Sequence, residues 1–270
     1  MPDLVLENLV HVYREGAVRA VDGVDLHFAS GERVAIIGQN GSGKTTLVRH
    51  LNGLLRPTGG RVLIDGVDAA KSRVAQLARS VGLVFQDPDR KIFAGSVRAE
   101  VEYGPRNLGN RGEDLRSAVD AALAAVGLES EAKTNPYDLG ASRRKLLALA
   151  SVLAMRTPVL ILDEPTTGQD ERGVQQVRSV IEDAHRQGRT VIAISHDMRF
   201  VAEGFERVVV MRGGRVILDG PPEGVFRRDA WDQLASTFLE PPLPAVIGDR
   251  LGLGSTPTDE MLIRSLASRG

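Results

Sequence analysis

The chain contains no cysteine. That excludes structural disulfides and any cysteine-ligated zinc or iron–sulfur centre, and it suits a reducing cytoplasm. No apolar run reaches the ~18–20 residues needed to cross a bilayer, and the opening MPDLVLENLV lacks a basic segment followed by an apolar one. The chain is therefore expected neither to span a membrane nor to be exported by a signal peptide, and any membrane role must run through a separate partner. Charge of one sign is not in excess either: 34 basic and 35 acidic residues are spread along the 270, for a formal net charge of −1. With no basic domain or tail there is no electrostatic footprint for nucleic acid, which is not expected as a partner. Internal repeats and low-complexity tracts are missing as well. What is left suits a soluble globular chain, long enough for a core domain with a smaller lobe.

The apolar pattern supplies the organisation. LVLENLVHVY and VDLHFASGE read as short alternating strands, and RVAIIG is a compact run of the kind buried on both faces of a sheet. VGLVF (Val81–Phe85), PVLILDE (Pro158–Glu164) and TVIAIS (Thr190–Ser195) are three more. Between them lie amphipathic helices, Leu115–Val126 stopped by Gly127, and Glu171–Ala184 with Gly188 beyond. Buried strands alternating with such helices predict a parallel sheet covered by helices on both faces. From about Ala94 to Met155 no strand is legible, which predicts an inserted helical lobe. RVVVMRGGRVILDG reads as a hairpin around Gly213–Gly214. After Gly220 the chain turns rich in proline and glycine and reads as an appendage.

GQNGSGKTT, Gly38 to Thr46, follows the strand RVAII and opens a helical pattern, matching the phosphate-binding loop G-x-x-x-x-G-K-[ST] in its required context. Gly38, Gly41 and Gly43 allow backbone conformations that turn successive N–H groups inward, so that Gln39, Asn40 and Ser42 with them form an anion cradle at a helix N-terminus. Lys44 is expected to reach β- and γ-phosphates, Thr45 to put its hydroxyl on Mg²⁺, and Thr46 to support the α-phosphate. VLILDE delivers Asp163 and Glu164 at a strand's carboxyl end, where ligands sit in open parallel sheets. Asp163 would hold Mg²⁺ through water, and Glu164 would orient and deprotonate the attacking water.

GQNGSGKTT, then Gln86 in VFQDPD, then LILDEPTTGQD, then His196 in ISHD, in this order and spacing over roughly residues 4–225, resemble the ATP-binding cassette (ABC) ATPases. The resemblance implies an α/β fold of the P-loop NTPase class, an ABC nucleotide-binding domain. Its core is a mixed, largely parallel sheet with an N-terminal antiparallel β part and an inserted helical lobe. The domain would cover 1–225, with core segments 1–93 and 156–225 and the lobe at about 94–155. Residues 226–270 would be a C-terminal extension, read as a second dimer contact. ATP and Mg²⁺ are the implied ligands. Gln86 would touch Mg²⁺ or the lytic water, His196 would bond the γ-phosphate and hold Glu164 in line, Tyr13 would stack on adenine, and Asp170 would lie at a dimer interface.

The stretch VFQDPDRKIFAGSVRAEVEYGPRNLG, with PYDLGASRRKLLALASVLAM and GPPEGVF, is similar to the A subunits of energy-coupling factor importers of cobalt, nickel and vitamins. In that group two A subunits dimerise beneath an integral T-type membrane subunit, which works with a substrate-binding S-type subunit. The resemblance places this chain on the cytoplasmic face of the cell membrane, peripherally bound. It also implies that Asp87, Pro88, Asp89, Arg90, Ile92 and Phe93 line the groove where membrane helices dock.

One segment departs from the family. Where the signature L-S-G-G-Q grips the γ-phosphate bound to the other subunit, this chain has Gly140, Ala141, Ser142 and Arg143 after Leu139. A hydroxyl contact is lost, at a cost of ~1.5–3 kcal/mol for one charge-assisted hydrogen bond. The helix is read from Arg143, and Arg143, Arg144 and Lys145 crowd cations at an N-terminus that is already positive. A neighbouring γ-phosphate is the anion expected opposite Arg143. The degenerate signature predicts an asymmetric pair, more readily a heterodimer than a homodimer. The competing classes are a soluble single-cassette ATPase of the iron–sulfur assembly type and an ATP-gated, non-hydrolysing scaffold.

Overall fold

The computed structural model describes residues 2–13, 18–87 and 91–268. The chain runs β1 (Leu4–Tyr13), β2 (Val18–Phe28), β3 (Arg33–Ile37), α1 (Lys44–Leu51), β4 (Gly59–Ile64), β5 (Val67–Asp68), α2 (Val74–Leu77) and β6 (Val81–Val84). A helical segment follows, α3 (Val97–Asn107), α4 (Gly112–Val126) and α5 (Ala141–Leu153). Then come β7 (Val159–Asp163), α6 (Glu171–Arg186), β8 (Thr190–Ile194), α7 (Met198–Gly204), β9 (Arg207–Arg212) and β10 (Arg215–Gly220). The chain closes with α8 (Pro222–Val225), α9 (Trp231–Ala235), α10 (Leu243–Arg250) and α11 (Asp259–Ala267).

The strands form two sheets. One is antiparallel, in the order β2-β1-β4-β5; the other, β10-β9-β3-β8-β7-β6, is parallel except for the β9–β10 hairpin. In the central strands side chains alternate between two cores. Ala35, Ile37, Leu160, Leu162, Val191 and Ala193 face the helical side. Val34, Ile36, Val159, Ile161, Ile192 and Ile194 face the antiparallel sheet and α1. This period-two division is why these strands read as unbroken apolar runs: both faces are covered.

The expected lobe between β6 and β7 is helical throughout. Val101, Val119, Leu123, Leu147 and Ala150 join the helices to one another and to the sheet. Three boundaries move. The α5 helix begins at Ala141 with Gly140 as its N-cap, two residues before Arg143, because Gly140 at φ −63° and ψ 160° already turns the chain into the helix. The α4 helix starts at Gly112, and α6 extends to Arg186. Strands β4 and β5 were not legible in sequence. Gly60 sits at the register shift opposite β1 between Glu7 and Val10: at φ +71° a Cβ on it would lie 2.1 Å from the Asn8 carbonyl oxygen, so glycine is required there. The tail is folded onto the core, with Phe226, Leu234 and Ala245 joining the helical-side cluster.

Candidate nucleotide site

Strands β3, β6, β7 and β8 run parallel, so Gly38, Gln86, Asp163–Glu164 and Ser195–His196 emerge at one edge of the sheet. At this edge opens a cleft of about 360 Å³ whose lining includes Tyr13, Val18, Asn40, Lys44, Thr45, Gln86, Asp163 and Glu164. Its floor is the loop between β3 and α1. Gly38 and Gly43 have φ of 145° and 104°, and a Cβ on either would lie 2.2 Å from a carbonyl oxygen, of Met211 and Ala20 respectively. Only glycine lets the loop pass so close beneath the hairpin and β2. The α1 helix then opens on Lys44, capped by a glycine with no side chain, so its first N–H groups are left to the cleft.

Lys44 Nζ donates to the carbonyl oxygens of Gly38 (2.6 Å) and Gln39 (3.0 Å). Burial holds its pKa below the usual lysine value, opposed by the carboxylates of Glu164 and Asp163. Beside it, Thr45 Oγ1 donates to Asp163 Oδ2 at 3.0 Å. Burial raises the Asp163 pKa, partly offset by that Thr45 bond. Its other oxygen, Oδ1, is buried and has no hydrogen-bond partner among the described residues. A carboxylate oxygen with an unused lone pair next to a threonine hydroxyl fits Mg²⁺, which binds through one or two protein oxygens and completes its shell with phosphate and water.

Glu164 is 7 % exposed and sits at φ 53°, left-handed backbone that a glutamate rarely adopts. Its amide donates to the Ile194 carbonyl at 3.0 Å, which ties the turn after β7 to the end of β8. Its Oε2 accepts from Thr167 Oγ1 at 3.2 Å and lies 2.7 Å from His196 Nδ1. Gln86 is exposed on the cleft wall. Tyr13 stands at the mouth, its hydroxyl 3.2 Å from Thr46 Oγ1.

The signature segment lies apart from this cleft. Ser142 Oγ donates to Gln169 Oε1 at 2.5 Å, and Gln169 Nε2 returns a bond to the Ser142 carbonyl at 3.2 Å. Arg143 pairs with Glu131 at 2.5 Å and donates to the Gly127 carbonyl at 2.9 Å. Arg144 donates to the Leu139 carbonyl and Lys145 to that of Thr167. The anion opposite Arg143 is thus a carboxylate of its own chain, where a neighbour's γ-phosphate was expected. Gly140 and Ala141 open α5, and Asp170 caps α6, accepting from the Gly173 amide at 2.7 Å.

A second, more apolar cleft of about 270 Å³ lies beside the Gln86 loop, between Val84, Phe85, Ile92, Tyr103, Val152 and Met155. Phe93 is 61 % exposed and meets Tyr103 edge to face at 4.7 Å, whereas Ile92 is buried in the cleft lining. Asp87 is exposed, and Pro88, Asp89 and Arg90 lie outside the described residues. Buried Glu100 accepts from the amides of Phe93 (3.1 Å) and Ala94 (2.8 Å) and so shapes this loop. Sequence reasoning missed Glu100, Tyr103, Thr167 and Gln169; only the position of Thr167 and Gln169 beside the acidic pair pointed to the latter two.

Comparison with known proteins agrees with this geometry. The sequence profile of the family described as ABC transporter matches residues 21–167. The energy-coupling factor transporter ATP-binding protein EcfA2 of Clostridium tetani is 40% identical over 245 residues, 88% of this chain and 84% of that protein. A putative ABC transporter ATP-binding protein of Methanosarcina acetivorans is 42% identical over 244 residues, but the chain spans only 39% of its length. Among solved structures, cbiO1 from Clostridium perfringens, part of the ABC transporter complex cbiONQ, superposes with a TM-score of 0.76 at 36% identity, covering 92% of this chain and 98% of that one. With the phosphate loop, the Asp163–Glu164 pair and His196 gathered at one sheet edge, the chain belongs to the ABC transporter family.

Proposed function

We propose that this chain is the ATP-binding and ATP-hydrolysing subunit that powers an importer of the energy-coupling factor type, taking up a vitamin, cobalt or nickel. The observation that carries the reading is Glu164, a buried carboxylate on strained backbone, held from two sides by His196 and Thr167 at the mouth of the phosphate loop. Such strain is maintained where a side chain must keep one position for its chemistry.

In this reading the loop amides and Lys44 bind the β- and γ-phosphates, with Lys44 exchanging its loop carbonyls for phosphate oxygens. Thr45 and Asp163 would hold Mg²⁺, which would supply charge neutralisation for the phosphates. Glu164 accepts a proton from water aligned with the γ-phosphorus. His196 donates Nδ1–H to Glu164, and with a hydrogen on both ring nitrogens it also donates Nε2–H to a γ-phosphate oxygen. Gln86, between this cleft and the apolar one, reports the state of the γ-phosphate to the lobe.

An ATP-sandwich dimer is proposed, with a second ABC subunit that is more readily a different chain than a copy. Supporting this, Ser142 and Arg143 already have intramolecular partners, so the "LGASR" end offers less to a facing phosphate. The apolar cleft beside Phe93 and Tyr103 would receive a cytoplasmic helix of the T-type membrane subunit, itself joined to an S-type subunit. The chain would then sit peripherally on the cytoplasmic face; among the described residues no helix is long and apolar enough to cross a membrane. The extension at 226–270 would add a dimer contact.

Two experiments test this. ATPase activity is measured for the chain alone and mixed with a candidate partner subunit: stimulation by the partner supports the heterodimer, and full activity alone removes it. Co-purification with an integral membrane protein, abolished by Phe93→Asp, supports the importer, while its absence favours a soluble cassette ATPase.

A further inference from the structure

Behind the nucleotide cleft lies a histidine pair that the chemistry above does not use. His11 and Tyr13 are two apart on β1 and share a face; Thr46 and His50 are four apart on α1 and share another. Where the faces meet, the four residues close a ring of contacts. Tyr13 Oη lies 3.2 Å from Thr46 Oγ1. The Tyr13 and His11 rings meet edge to face at 4.6 Å, and those of His11 and His50 at 4.7 Å. His50 Nδ1 donates to the Thr46 carbonyl at 2.7 Å, back to the starting residue.

The hydrogen bonds admit one arrangement of protons. A carbonyl only accepts, so His50 carries its proton on Nδ1 and presents a lone pair at Nε2. His11 Nδ1, 3.0 Å from that nitrogen and 3.2 Å from the Arg56 carbonyl, must then be the donor. In this arrangement a proton on His50 Nε2 would set two donors face to face. His50 is 1 % exposed and His11 7 %.

We propose that His11 and His50 are positioning residues for nucleotide binding: the pair fastens the Tyr13 ring to the first turn of α1, so that base and phosphates are held at one fixed spacing. This rests on the reading that Tyr13 meets the base. Tyr13 is exposed at the cleft mouth, where a free tyrosine would sample several rotamers. Fixing it beforehand removes an entropic cost from binding of the base.

The test is equilibrium binding of ATP and of inorganic tripolyphosphate, which lacks the base, by titration calorimetry on the full chain, with thermal unfolding as a check of the fold. Tyr13→Ala comes first: an unchanged ratio of the two affinities means that Tyr13 does not meet the base, and the underlying reading fails. If that ratio falls, His11→Ala should weaken ATP about five- to tenfold and tripolyphosphate by less than about twofold. His11→Phe, which keeps a ring against Tyr13 and suits a buried strand position, should restore most of the ATP affinity. Equal weakening of both ligands by His11→Ala, no weakening of either, or a folded His11→Phe without recovery would each overturn the proposal while leaving the role of Tyr13 intact.

Discussion

His196 Nδ1 lies 2.7 Å from Oε2 of Glu164, although 32 positions separate the two residues. The imidazole is 61 % exposed and the carboxylate nearly enclosed, so a solvent-facing group holds a buried one. Glu164→Gln keeps the shape and removes the proton acceptor. Turnover should fall by about 10²–10⁴ while ATP binding persists and an ATP-bound closed dimer accumulates. Phosphate release and size-exclusion chromatography check this; an unchanged rate would favour the non-hydrolysing scaffold.

The orphan oxygen of Asp163 makes a prediction about metal. Chelation of Mg²⁺ should abolish turnover, and Asp163→Asn should raise the Mg²⁺ concentration needed for half-maximal rate by about tenfold or more, the cost of one charge-assisted contact. A Mg²⁺ titration of ATPase activity decides it. Calorimetry of ATP without Mg²⁺ should show little difference between the two proteins.

Restoring the family's signature should relieve the asymmetry. The combined change Gly140→Ser, Ala141→Gly and Ser142→Gly reinstates a hydroxyl and close backbone approach and breaks the Ser142–Gln169 bridge. A regained bond of ~1.5–3 kcal/mol corresponds to about 10–100-fold in the self-stimulated rate of the chain without a partner. No increase would place the limit elsewhere than in residues 140–142.

Stability should fall in mild acid because of His50. Burial is the main cause that depresses its pKa, from 6.5 to about 4. Between these values the unfolded chain binds a proton that the folded chain refuses, so stability is complete above pH 6.5 and declines as pH drops toward 4. The loss is on the order of 2 kcal/mol once solvent screening is allowed for. Urea unfolding midpoints from pH 4 to 8 should show the decline, and His50→Gln should flatten it.

Much of the architecture was legible because its causes are local. Val34–Ile37, Val159–Asp163 and Thr190–Ile194 are apolar without alternation, the mark of a strand covered on both faces. Gly127 closes α4 at φ 65°, as a C-terminal glycine should. By contrast β4 carries no apolar run at Gly59–Arg61, and its strand conformation depends on β1, about 50 positions earlier, lying alongside. Arg143 is expected to face a neighbour's phosphate because an isolated helix N-terminus offers it no anion; folding brings Glu131 to it within the chain, while Lys145, whose partner the sequence leaves open, reaches the Thr167 carbonyl.

The chain's residues in order were enough to determine a phosphate loop between a buried strand and a helix, and two acids at the end of another strand. Glycine conformational freedom, apolar periodicity and motif spacing act within a few positions of each residue. Which side chains meet is a matter of packing, and only the tertiary structure decided it. Thr45 reaches Asp163 across 118 positions, His11 reaches His50 across 39, and Arg143 turns to Glu131. Long polar side chains have several partners within reach and energies that differ by about a kilocalorie per mole, so the surrounding fold selects among them.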